Sequence, residues 1–489
     1  MKKLVIEVTP VEVRGAVIDG DRVVEVHSER KYEKGIVGNI YKGKISRVIK
    51  GLKAVFVDIG LEKAAYMNFE DLKDSFKQIA SVDEGVDFRK EFDRFLKKKL
   101  KPGDEVIVQV TRDVVGDKGP KVTTNIAIPG KYIVLLPFMN FIGVSRKIED
   151  QNKRRKLKEL VSKELQGKNI GVIIRTSAEN IPASYLKREL KFLLSLLKKI
   201  EVRMNESAPR ILYQDIPLSL KLVRDYLDED LSKIYVDDRE EYRKIKDIIK
   251  VLAPSRSKDV VFYSKGPVFS AFGLRDIYDR VMRNVIWLPS GGYIVIQETE
   301  ALTSIDVNSG KFTPEGDPEE MFLKINREAA EEIAHQLRLR DVGGIIIVDF
   351  VNMRRRKNRQ ILYEFFRARL LEDQGKPEIE RISRLGLVEM TRKKEGKSLA
   401  SYISIKCPYC DGRGYIKSPD TIVGEIYRDL KELFPDRGCR GQSVKVRVHP
   451  EVFNTVNEKY SGIFSEICRD ISFVRDENLH MEKFLIEFK

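Results

Sequence analysis

Three polar residues stand inside otherwise apolar stretches. In the segment TSIDVNSG, Asp306 and Asn308 lie two apart in a β-rich run. Side chains two apart in a strand share a face, so both point one way while Ile305 and Val307 point the other. Asp349 closes a wholly aliphatic run over residues 345–348. That puts a carboxylate at the C-terminal edge of a strand, where open α/β sheets place their sites. Two carboxylates and an amide oxygen make a hard oxygen site suited to magnesium. Magnesium held that way can neutralise a phosphate and activate water. As plain structure, the same aspartates would do no more than cap a strand or a turn.

Three further groups could bind ligands. Arg175 and Thr176 end the predicted strand GVIIRT. A guanidinium beside a hydroxyl can cradle an anion, although the pair is common at strand ends. Phe56 and Tyr66 fall on separate predicted strands among Lys42, Lys44, Arg47 and Lys53. Barrels that bind single strands combine stacking aromatics with cations that follow the backbone, but either ring could also be core. Cys407 and Cys410 have zinc-ligand spacing, with Gly412 and Gly414 free to turn tightly around the sulfurs. One CxxC supplies two thiolates where a structural zinc needs four ligands. The rest would come from a second chain or from Cys439 and Cys468, and a plain disulfide is the alternative. Basic runs at residues 97–99, 153–156 and 354–357 are solvated faces by default. The last follows Asp349 closely enough to contact phosphates.

These groups need elements to hold them. A chain of 489 residues is too long for one core, and roughly two to four domains are expected. With 42% hydrophobic residues a buried core is feasible. The net charge of +15 favours polyanionic partners, unless it only reflects a soluble, Lys- and Glu-rich surface. No run approaches the ~18 apolar residues of a membrane span, and residues 1–10 alternate like a strand rather than a signal. Four cysteines do not make a disulfide scaffold, so a cytoplasmic location follows by default.

Residues 1–37 read as strands, with a hairpin turn at Asp19-Gly20. Residues 38–124 continue as short strands around a charged, helical insert at about 70–101, suggesting a small barrel. Residues 125–220 mix strands (131–137 and 169–176) with amphipathic helices, one over 184–197. The next sixty residues look largely helical and charged. From 284 the pattern becomes α/β, opening with a hairpin around PSGG. Asp317 caps a long helix with Pro318 at its first position and Glu320 completing a capping box. That helix runs to about Leu339, and strand, helix, strand implies a parallel, buried pair. A linker holds the cysteines, and residues 419–489 form a small α+β tail.

Six segments carry a resemblance: GNIYKGKISRV, AVFVDIG, ALTSIDVNSG, LRLRDVGGIIIVDF, ISRLGLVEMTRKK and CPYCDGRG. In this order, across essentially the whole chain, they resemble the catalytic half of the ribonuclease E/G family, closest in layout to its ribonuclease G branch. The resemblance implies a multidomain α/β and α+β protein. An RNase H-like domain (1–37 and 221–281) is split around an S1-type OB barrel (38–124) and a 5′-phosphate sensor (125–220). A deoxyribonuclease-I-like catalytic domain (282–403), a zinc link (404–418) and a small dimerisation domain (419–489) follow.

By motif match, Asp306 and Asp349 hold Mg2+ with Asn308 in support. Phe56, Tyr66 and Lys118 grip RNA, Tyr66 standing where a Phe is usual. Arg175, Thr176 and Val134 form the pocket for a 5′-monophosphate. Cys407 and Cys410 give half of a Zn2+ site shared between two subunits of a homodimer or homotetramer. The implied activity is magnesium-dependent hydrolysis of phosphodiester bonds in single-stranded, A/U-rich RNA, stimulated by a 5′-monophosphate, in RNA processing and mRNA decay. Two rival readings stay open here. One is a non-catalytic S1-type RNA-binding or ribosome-assembly factor. The other follows from CPYCDGRG, which also resembles the zinc repeats of J-domain co-chaperones, although here it occurs once and without an HPD motif.

Overall fold

The computed structural model describes residues 1–32, 35–49, 51, 54–68, 101–114, 118–227, 230–310, 317–371, 373, 375–383, 385–393, 398–435, 443–468 and 470–488. The helical insert expected at 70–101, the basic run at 97–99, Lys53 and Cys439 lie outside them. The chain divides into two compact units, Met1–Ile403 and Ser404–Lys489.

Among the described residues the first unit is built on four sheets. Its opening strands, Lys2–Val8, Glu12–Asp19 and Arg22–Arg30, form an antiparallel meander. The sheet is completed from more than two hundred residues downstream: Leu231–Val236 pairs in parallel with Lys2–Val8, and Val260–Phe262 adds beyond it. The region after 220 is largely helical, as expected, but two short strands that the sequence did not announce lie among its helices. Leu231, Ile234 and Val236 are buried and bind the strand to the sheet, while the charged helix Arg239–Leu252 beside it dominates the composition.

Between the halves of that sheet lie two others. Ile40–Ile49, Ala54–Asp58, Ala65–Asn68, Lys121–Thr123 and Glu105–Arg112 close into a five-stranded barrel, because Ile40–Ile49 pairs with both Ala54–Asp58 and Glu105–Arg112. Strand alternation fills its inside with Ile45, Val55, Val57, Met67, Val108 and Val122. Ile142–Val144, Gly171–Ile174, Ile133–Leu136 and Ile128–Pro129 form a four-stranded sheet backed by the helices Gln151–Glu164 and Ala183–Arg203.

The fourth sheet runs in the order Val285–Trp287, Tyr293–Glu298, Leu302–Asn308, Gly344–Asp349, Leu387–Arg392, Glu378–Ile379. Its first two strands form the hairpin expected around PSGG, with Gly291 in the left-handed region (φ 88°) at the turn. Its central pair, Leu302–Asn308 and Gly344–Asp349, is parallel and joined by the helix Pro318–Leu339. Asp317 caps that helix by accepting from the Glu319 N–H at 3.0 Å. The helices Pro318–Leu339 and Arg356–Leu370 cover one face of the sheet, over Ile305, Val307, Ile346 and Val348. The other face is open: Ile345 is 52% exposed. The expected parallel, buried pair is therefore parallel, and buried on the helix side alone. A continuous aliphatic run reads as doubly buried, but here only its alternate residues meet the helices.

In the second unit, Val444–Val448 pairs in parallel with Ile471–Arg475 and antiparallel with Phe484–Phe488. The helices Pro419–Leu433 and Pro450–Lys459 pack with these strands around Ile422, Ile426, Val446 and Val452. Among the described residues no helix is long and apolar enough to cross a membrane.

Candidate active site and RNA-binding faces

The strands Leu302–Asn308 and Gly344–Asp349 run parallel in a register that sets Asp306 directly beside Asp349. Their chain neighbours Ile305 and Val348 are buried at 1% and 0% exposure, so the pleat turns both carboxylates to the open face. Asn308, two residues on, donates its amide N–H to the Asp306 carboxylate. That bond orients Asp306 and leaves the amide oxygen available. Among the described residues no three His, Cys, Asp or Glu side chains group so as to hold a metal ion by themselves. A cation here would rest on two carboxylates, an amide oxygen and water, a donor set that suits magnesium, which keeps several waters.

Two residues missed in the sequence hold the turn that follows Asp349. Asn326, wholly buried in the helix Pro318–Leu339, donates to the Val351 carbonyl at 2.8 Å and accepts from its N–H at 3.0 Å. The Glu319 carboxylate accepts the backbone N–H groups of Arg354 (2.7 Å) and Arg355 (3.2 Å). These donors pull Glu319 below its ordinary range, led by the Arg354 N–H. A lone Asn on an apolar helical face was the signal available for Asn326. Of the basic run 354–357, Arg355 is paired with Asp317 at 2.6 Å, and all four residues are exposed.

On the barrel, Phe56 and Tyr66 are register partners on adjacent strands, half-buried, with ring centroids 5.8 Å apart. They sit on the outer surface, not in the core. The same ladder continues to exposed Arg47, opposite Phe56, and to Lys121, opposite Tyr66. Cations thus flank the aromatic pair on both sides. Lys118 is exposed close by, just before Pro120, whose carbonyl accepts from the Tyr66 N–H at 2.8 Å. Lys42 is committed elsewhere, to Glu105 at 2.7 Å.

Arg175 and Thr176 follow the strand Gly171–Ile174, and both are exposed. The Arg175 guanidinium donates to the Gly130 carbonyl at 2.8 Å, and the Thr176 hydroxyl lies 3.0 Å from that of Ser145. Val134, half-buried, pairs with Ile173 on the neighbouring strand. Behind them the buried Glu189 carboxylate accepts from the N–H groups of Lys131, Tyr132 and Ile133 at 2.6, 2.8 and 2.9 Å. It approaches so closely because residue 130 is glycine; a Cβ there would lie 2.7 Å from the carboxyl carbon. Burial pushes the Glu189 carboxyl up, against the pull of those three donors and of Arg175. Within the run 153–156, Arg154 is structural, donating to the Val144, Ser145 and Ile148 carbonyls.

In the second unit Cys407 and Cys410 are free thiols at the surface, which removes the disulfide alternative for them. The Gly414 N–H points at the Cys410 sulfur from 3.3 Å, and this, with smaller contributions from its neighbours, lowers the thiol toward thiolate. Cys468 is buried and disulfide-bonded, so its sulfur is not a free zinc ligand.

With this geometry in view, the sequence matches the profile of the ribonuclease E/G family over residues 127–395. The chain belongs to the ribonuclease E/G family. It is 36% identical over 431 residues to ribonuclease G of Escherichia coli K12, spanning 88% of this chain and 87% of that protein. Ribonuclease G of Haemophilus influenzae is 34% identical over 469 residues, 95% of this chain and 94% of the relative. Ribonuclease E of the same organism is 35% identical over 436 residues, 88% of this chain but 46% of the longer relative. As a member of this family the chain is an endoribonuclease. The solvent-facing carboxylate pair lies within the matched span, and the barrel's aromatic ladder lies before it.

Proposed function

We propose that this endoribonuclease is magnesium-dependent, with Asp306 and Asp349 as the metal ligands and Asn308 supporting them. It hydrolyses single-stranded, A/U-rich RNA to leave 5′-phosphate and 3′-hydroxyl ends, in RNA processing and mRNA decay in the cytoplasm. The observation that carries the reading is the in-register carboxylate pair, turned to the open face of a sheet whose other face is fully packed. Magnesium bound there would supply charge neutralisation at the phosphate and a water of lowered pKa. Asp306 and Asp349 fix the anionic centre of the site, and the Asn308 amide keeps Asp306 from rotating away. The packed strands beneath hold both carboxylates without reorganisation, which is what electrostatic catalysis requires.

The remaining layout follows the same reading. The sheet of residues 2–30 and 231–262 serves as the RNase H-like domain, and the barrel as an S1-type clamp gripping RNA through Phe56, Tyr66 and Lys118. The sheet of residues 128–174 senses a 5′-monophosphate through Arg175 and Thr176, with Val134 in the pocket wall. Cys407 and Cys410 give half of a Zn2+ site that links two subunits, as a dimer or a dimer of dimers. The test is direct: a single-stranded oligonucleotide is incubated with the protein, carrying either a 5′-monophosphate or a 5′-hydroxyl, with and without magnesium. Cleavage that needs magnesium and runs faster on the monophosphate supports the reading. Cleavage that is indifferent to magnesium overturns the metal site, and equal rates on both ends overturn the sensor.

A further inference from the structure

The open face of the catalytic sheet carries more than carboxylates. Tyr293 is the register partner of Asn308, and Trp287 is the partner of Tyr293. Cross-strand partners share a face, so the row Trp287–Tyr293–Asn308 points the same way as Asp306 and Asp349. The two rings lie 5.1 Å apart, tilted by 55°, and Trp287 is 68% exposed. A single exposed aromatic needs no explanation. This one does not stand alone: Val285, two residues before it on the same strand face, is 44% exposed. Adjacent strands are about 4.8 Å apart, so the indole sits roughly 10 Å to one side of the carboxylate row.

Past Asp349 in the strand order, away from the aromatic pair, lie segments that carry guanidinium groups. The helix Arg356–Leu370 begins shortly after Asp349, and residues 381–383 lead into Leu387, the register partner of Asp349. Between them is a cleft lined by Arg356, Arg359, Tyr363 and Arg381. By strand order, then, guanidinium groups suited to phosphates lie beyond Asp349 on one side of the carboxylate pair, and the exposed rings lie on the other. A polyanion with flat apolar bases fits both; a second copy of this basic chain fits only the rings.

We infer that Trp287 and Tyr293 form a base-stacking subsite that positions an unpaired nucleobase close to the scissile phosphate. The inference rests on the carboxylate site proposed above and adds a substrate-positioning role for Trp287. Base–aromatic stacking tolerates any sequence, because every base has a π face.

Trp287 is the only tryptophan in the chain, so its emission reports on the subsite alone. Emission is followed in the Asp306→Asn protein as a single-stranded oligonucleotide is added, which needs no cleavage. A series of oligonucleotides carries one abasic nucleotide moved stepwise past the cut. Quenching by the intact strand is expected, with loss of quenching at one abasic position near the cut. In the otherwise native enzyme, Trp287→Ala should raise KM about tenfold with kcat little changed, as expected for one lost base stack. It should also become indifferent to the abasic position, while Trp287→Phe recovers most of the loss. An unchanged KM in Trp287→Ala, or an abasic penalty that persists in it, overturns the inference. Emission that instead follows protein concentration without RNA, with a fall in oligomer mass for Trp287→Ala, assigns the face to a second copy of the chain. Should Asp306→Asn still cut RNA, the carboxylate reading falls while the emission result stands on its own.

Discussion

Replacing Asp349 by Asn, or Asp306 by Asn, should remove cleavage while leaving the fold at least as stable. Both side chains are exposed at the edge of packed strands, and the change is isosteric. Each substitution also relieves repulsion between two carboxylates held in register. At a separation of about 5 Å that repulsion is roughly 0.8 kcal/mol in a water-like dielectric. The melting temperature should therefore hold or rise slightly. Activity should move the other way. A site with two carboxylate ligands that loses one should fall at least a thousandfold, or about 4 kcal/mol of transition-state stabilisation. The assay is single-turnover cleavage of an end-labelled, 5′-monophosphorylated oligonucleotide in saturating magnesium. It is paired with thermal unfolding and with a filter-binding Kd, which the separate barrel should keep within a few-fold. Cleavage within tenfold of wild type in either variant would refute the assignment. A large drop in melting temperature would instead make the pair a structural feature.

Three further outcomes are expected. Arg175→Ala should slow cleavage of 5′-monophosphorylated RNA by about ten- to a hundredfold, the size of one lost charge-assisted hydrogen bond, and hardly affect 5′-hydroxyl RNA; equal slowing of both would mean that only its bond to the Gly130 carbonyl mattered. Cys407→Ser should lower both zinc content and oligomer mass, measured by elemental analysis with light scattering, because the proposed link takes two thiolates from each of two chains; a monomer with one full zinc per chain contradicts this. Stability should fall in acid through Glu25: burial raises its carboxyl, but His27 and Arg338 outweigh that and hold it below the ordinary 4.5. A depressed carboxylate stabilises the fold above its unfolded value and loses that contribution as pH falls through the folded one. Denaturation midpoints from pH 6 downward should therefore drop more steeply for wild type than for Glu25→Gln, and parallel profiles would show that the pair contributes nothing.

Much of the site was legible because it depends on local periodicity. The alternation of TSIDVNSG places Asp306 and Asn308 on one face whatever the partner strands, and Asp317-Pro318 starts a helix by its own chemistry. The strands that carry Phe56 and Tyr66 follow from the same period of two. What the sequence alone could not decide was long-range. The register that sets Asp306 beside Asp349, rather than one residue off and facing away, comes from packing of the helix Pro318–Leu339 beneath both strands. The strand Leu231–Val236 hid among charged helices because its partner, Lys2–Val8, lies at the other end of the chain. The support that Glu189 gives the backbone of residues 131–133, and Asn326 the turn after Asp349, joins residues at least 25 positions apart. An aliphatic run looks the same whether one face or both are covered; only the tertiary structure left the carboxylates, Trp287 and Tyr293 together on an open one.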